Sequence, residues 1–156
     1  MGEQRMTWLA GTASDASIGD LLAMSPSMHE RLVTLERDIW ASPAVDPALL
    51  ELVRLRVATL VGCAAELAHR TPEAQAAGLT EAKIADLPNW PSSYHYTARE
   101  RMVLAFAESY VIDAHSVTDE LCERLNEQWA PAQLSALTFA LAVFDAKARM
   151  RTALGA

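Results

Sequence analysis

The sequence predicts an all-α protein, an antiparallel bundle of about six to seven helices. Three observations predict it. Helix-start signals recur along the chain, apolar residues repeat at steps of three and four, and no segment alternates with the β-branched and aromatic enrichment of a strand. The 156 residues suit one domain, and 51% of them are apolar, enough for a core without staples.

The first element is read at 26–41. Ser25-Pro26 pairs a capping residue with a proline at the first helical position, and Met28, Leu32, Leu35 and Ile39 share one face. Asp46-Pro47 opens a second helix over 47–61, with Leu49, Leu52, Val53, Val57 and Leu60 in register. Gly62 is a natural stop, and a third helix is expected over 64–78, ending at Gly78. Thr71-Pro72 is a further start signal inside that span. Thr80 caps a short helix at 81–86. The segment 87–93 carries two prolines and reads as the longest loop. Thr97-Ala98-Arg99-Glu100 is a capping box opening 98–113. Thr118 precedes 119–128, and Pro131 opens a terminal helix over 131–153. That helix is apolar around much of its circumference from Leu134 to Phe144, so it must be covered on several sides, by a central place in the bundle or by a second subunit. Residues 1–24 read as an N-terminal arm and 25–156 as the single domain.

Composition narrows function. A formal net charge of −7 argues against nucleic acid and anionic membranes, which require a basic footprint. The chain lacks a signal-peptide pattern and a stretch long enough to span a bilayer, so a cytoplasmic location is expected. Two cysteines, Cys63 and Cys122, do not form a secreted disulfide framework. Ligand-spaced His, Cys or Asp pairs, phosphate-binding glycine loops and nucleophile-elbow serines are missing, so neither a metal nor a cofactor is expected.

Chemistry concentrates between Glu51 and Arg70. Cys63 follows Gly62 at the start of a helix, where free N–H groups favour a thiolate. Its plainer reading is a small buried hydrophobe. Glu66 and Arg70, like Glu51 and Arg54, read by default as ordinary helix ion pairs worth about 0.2–0.5 kcal/mol. His115, in Asp113-Ala114-His115-Ser116, is a candidate acid or base, or a helix C-terminal cap. His95 reads as loop packing.

The stretch Glu51-Leu52-Val53-Arg54-Leu55-Arg56, then Gly62-Cys63, Ala76-Ala77-Gly78-Leu79-Thr80-Glu81, Thr97-Ala98-Arg99-Glu100-Arg101 and the terminal helix from Gln133 to Phe144 together resemble the alkylhydroperoxidase D-like and carboxymuconolactone decarboxylase family. The resemblance runs from about Ser25 to the C-terminus. It implies an alkylhydroperoxidase D-like helical fold, a homo-oligomer (trimer or hexamer) and a small-molecule substrate. Redox members carry a glutamate, eleven residues, then Cys-x-x-Cys-x-x-x-His. Here Glu51 and Cys63 match, Glu66 replaces the second cysteine, and Arg70 stands at the histidine position with His69 one step away.

A dithiol cycle needs two sulfurs whose Cα atoms lie within about 7 Å, and a cysteine and a glutamate cannot form that bond. The Glu66 carboxylate also opposes a thiolate, so Cys63 is expected to be a poor nucleophile. Cys122 remains a possible partner for it. Twelve residues of straight helix cover about 18 Å, so Glu51 reaches this region only if the chain reverses at Gly62. Reversal predicts a Glu51–Arg70 or Glu66–Arg70 ion pair in a partly enclosed pocket. Three functions follow: a peroxidase-like protein with an impaired redox motif; a non-redox acid/base enzyme using Glu51, Glu66 or His115 on a small organic acid or lactone held by Arg70 and His69; or a non-catalytic oligomeric binding or scaffold protein.

Overall fold

The computed structural model describes residues 18–154, and most of the N-terminal arm lies outside them. The described residues form an all-α bundle: α1 (Ile18–Ala23), α2 (Pro26–Ala41), α3 (Pro47–Val61), α4 (Ala64–Ala68), α5 (Pro72–Ala76), α6 (Glu81–Ala85), α7 (Ala98–Ile112), α8 (Asp119–Gln128) and α9 (Pro131–Leu154). Short 3-10 turns at Leu87–Asn89 and Ala114–Ser116 join α6 to α7 and α7 to α8.

The predicted starts hold where a side chain reaches a free N–H. Asp46 accepts from the Ala48 N–H at 2.8 Å, with Pro47 behind it. Thr97 and Glu100 complete the capping box at 3.2 and 2.8 Å. Thr80 and Thr118 cap α6 and α8.

The helix expected over 64–78 is instead two short helices. Thr71 is extended (ψ 135°), because Pro72 disfavours helical backbone at the preceding residue, and His69, which ends α4, is extended too (ψ 145°). Thr71 is freed by this break: its hydroxyl makes no cap and turns to Glu51.

α3, rather than α9, is the helix buried all round. Leu49, Leu50, Val53, Val57 and Ala58 join the larger core with Val103, Ala107, Leu137, Leu141 and Phe144, from α7 and α9. Leu52 and Leu55, on its other side, pack with Leu87, Trp90, Tyr96 and Leu104. Each such Leu or Val stabilises the fold by about 1.5–3 kcal/mol. α9 buries one stripe and leaves Phe139 63% exposed.

Candidate functional site

Two features bring the site together. Gly62 takes the left-handed conformation (φ 75°), and the Cys63 N–H closes the end of α3 on the Ala58 carbonyl at 2.8 Å. The chain therefore reverses, and 63–72 returns along α3. The reversal sets Thr71 beside Glu51: the Thr71 N–H and hydroxyl donate to its carboxylate at 3.4 and 3.3 Å.

Arg54 lies at the centre. Its Nε and Nη2 donate to the two oxygens of Glu51, both at 2.8 Å. Its Nη1 donates to Glu66 Oε2 at 2.8 Å and to the Glu66 carbonyl at 2.7 Å, and Nη2 also reaches the His69 carbonyl at 2.9 Å. Exposure is 0% for Glu51, 4% for Arg54 and 6% for Glu66, so this is a buried ion triad, not a surface pair. Burial pushes the Arg54 pKa down; the hydrogen bond and charge of Glu51, with those of Glu66, outweigh it and hold the pKa above its ordinary value.

The cluster extends outward on α9. Glu66 Oε1 lies 3.1 Å from Arg151 Nε and 3.8 Å from Lys147 Nζ, and Lys147 contacts Glu36 of α2 at 2.6 Å. Three carboxylates and three cations thus alternate across α2, α3, α4 and α9.

The predicted residues divide accordingly. Glu51 and Glu66 meet through Arg54. The expected Glu51–Arg70 or Glu66–Arg70 pair does not form: Arg70 turns to Glu81 at 3.0 Å and to the Leu67 and His69 carbonyls. The break before Pro72 carries the Arg70 side chain toward α6, while Arg54, one turn along from Glu51, is already in place. His69 is exposed and contributes its carbonyl. Cys63 is 2% exposed within the larger core, and both it and half-buried Cys122 are free thiols. His115 is exposed in the turn after α7, where the Asp113 and Ser109 carbonyls accept from the Ser116 hydroxyl.

Sequence reasoning missed Arg54 as the organiser, and Glu36, Lys147 and Arg151 as its outer shell. Arg54 carried a signal: it and Glu51 are the charged members of a run otherwise apolar from Ala48 to Leu55. Among the described residues, no group of three or more His, Cys, Asp or Glu could hold a metal, and no helix is long and apolar enough to cross a membrane.

An all-α bundle with a Cys-x-x-Glu turn laid against a glutamate-bearing central helix defines the class. The chain belongs to the carboxymuconolactone decarboxylase family, whose model matches residues 26–109, the span from α2 through most of α7. It is similar to the uncharacterized protein YdfG of Bacillus subtilis (strain 168), 29% identical over 106 residues, covering 67% of this chain and 72% of that protein. It also superposes on a crystal structure from Agrobacterium tumefaciens, of a protein of unknown function described as a candidate antioxidant defence protein AhpD. That likeness has a TM-score of 0.73 and 23% identity over 83% of this chain and 88% of the other, and it supports the fold alone.

Proposed function

We propose that this chain is a family member in which the two-thiol peroxide cycle is disabled and the family site serves non-redox handling of a small molecule. The observation that carries the reading is Arg54 joined to Glu51 and Glu66 at 2.8 Å. In a dithiol cycle a peroxide is reduced to an alcohol and water while two thiols become one disulfide. Here the position of the second thiol carries a carboxylate engaged by cations, and the glutamate placed to move a proton is held by both oxygens. The one thiol the motif keeps, Cys63, is sealed in the core, away from a soluble oxidant.

The test is consumption of tert-butyl hydroperoxide under excess reductant. Wild type and Cys63→Ser should both run at the background rate. A wild-type rate that Cys63→Ser abolishes would overturn the proposal.

Self-association into a homo-oligomer, a trimer or hexamer by family resemblance, is part of the same reading. Its support is an apolar groove of about 200 Å³ lined by Leu35, Ile39, Val45, Leu50 and Ala136, beside the projecting Phe139 ring.

A further inference from the structure

A second cavity, of about 160 Å³, opens between α1, α2 and α9. Its walls are of three kinds. Leu22, Leu32, Val33 and Met150 are apolar, His29, Lys147 and Arg151 are basic or able to donate a hydrogen bond, and Glu36 is acidic, its carboxylate engaged by Lys147 at 2.6 Å. The floor continues into the ion cluster, because Lys147 and Arg151 both approach Glu66.

The two cations are not equivalent. Lys147 is committed to Glu36 at 2.6 Å. The closest approach of Arg151 to Glu66 is through Nε, at 3.1 Å, and that buried N–H is not aligned for a hydrogen bond. Among the described residues its two terminal nitrogens carry no hydrogen bond. A guanidinium turned to Glu66 at Nε keeps, at its terminal nitrogens, the planar fork that matches a carboxylate. Formal charge balances over Glu36, Glu51, Glu66, Arg54, Lys147 and Arg151, so an anion would be held here by directed hydrogen bonds in a partly enclosed, low-dielectric cavity rather than by a net positive field.

We propose that this cavity binds a short-chain monocarboxylate, its carboxylate on the Arg151 terminal nitrogens and its alkyl chain against Leu32, Val33 and Met150. The cavity admits only a few carbons. A tail of three or four methylene or methyl groups gains about 0.8 kcal/mol of burial for each, while an amine of the same length would set its charge against Arg151. The assignment rests on the non-redox reading of the neighbouring site.

The experiment is calorimetric titration with butyrate, using 1-butanol and butylamine as controls of equal length. Saturable binding of butyrate alone is expected. Arg151→Lys keeps a cation near Glu66 and removes the fork, so it should weaken butyrate about ten- to hundredfold. Val33→Trp fills the cavity from the opposite wall without altering charge and should abolish binding. Circular dichroism establishes that each variant is folded. Absence of saturable butyrate binding to wild type, binding unchanged in folded Arg151→Lys, or butanol binding as well as butyrate would each overturn the site. A Cys63-dependent peroxidase rate refutes the non-redox reading whatever butyrate does; a failed titration with no peroxidase activity refutes this site alone.

Discussion

Replacing Arg54 by methionine tests the central claim about this molecule most directly. The side chain donates five hydrogen bonds, three to carboxylate oxygens and two to the Glu66 and His69 carbonyls. Methionine fills similar space and supplies none of them. Glu66 would still have Arg151 and Lys147 at 3.1 and 3.8 Å. Glu51 would keep only two long bonds from Thr71, in a position with no solvent access. The penalty therefore falls mainly on Glu51. Breaking a buried pair by deleting one partner costs about 3–5 kcal/mol. At about 2–4 °C per kcal/mol for a chain of this size, Tm should fall by roughly 6–20 °C. Adding Glu51→Gln removes the stranded charge, so the double variant should recover part of the loss, with a coupling energy of about 2–3 kcal/mol. Urea unfolding of wild type, both single variants and the double variant closes the cycle. If Arg54→Met costs less than about 1 kcal/mol, as an exposed pair would, or if the two substitutions simply add, the buried-triad argument is wrong.

Other consequences can be measured independently. Tyr96 is buried with its hydroxyl donating to the Lys83 carbonyl, and burial first, then Asp86 and Glu100, pushes its pKa from 10.0 up to about 12. Because the folded value is raised, this contribution to stability is complete below pH 10 and is lost as pH climbs toward 12. Tyr96→Phe should cost about 1 kcal/mol at neutral pH and flatten the alkaline slope of Tm; an unchanged slope would contradict the assignment. Burial raises the Glu100 pKa, but its hydrogen bonds from Lys83 and Thr97 and the Lys83 charge prevail and hold it below the ordinary carboxylate value. That stability is present above about pH 4.5 and lost as pH falls through the folded value, so Lys83→Met should make Tm less sensitive to acid below about pH 4.5. Phe139→Glu places a charge beside the apolar groove and should lower the mass measured by light scattering after gel filtration. A monomeric wild type, or a variant of unchanged mass, would count against self-association through this face.

Much of the fold is legible because its signals are local. Asp46-Pro47 and the Thr97–Glu100 box each determine a helix start from within four residues, and both caps form. The signal for a break at Thr71 is equally local, since Pro72 disfavours helix at the residue before it. Yet the span from Ala64 to Gly78 still reads as continuous helix when its alanines are weighed by propensity. Tertiary consequence is where inference from sequence stops short. Reversal at Gly62 correctly brings Glu51 to the 69–71 segment, but it does not say which arginine arrives. Arg70 follows in chain order; Arg54 wins because it shares a rigid helix with Glu51 at i,i+3, so its guanidinium needs no loop to position it. Glu36, Lys147 and Arg151 join only because α2 and α9 pack over the α3–α4 turn, and no spacing rule links Glu66 to residues as far along the chain as Lys147 and Arg151. The motif's two arginines show the limit. Three residues of sequence separate Glu51 from Arg54, but Arg56, only two further on, faces the other way and pairs with Glu108 of α7 beside the Trp90 indole. One helical turn thus sends two identical side chains to opposite flanks of α3. One completes the buried triad and the other ties the second core, and the choice is made by which face of α3 each occupies.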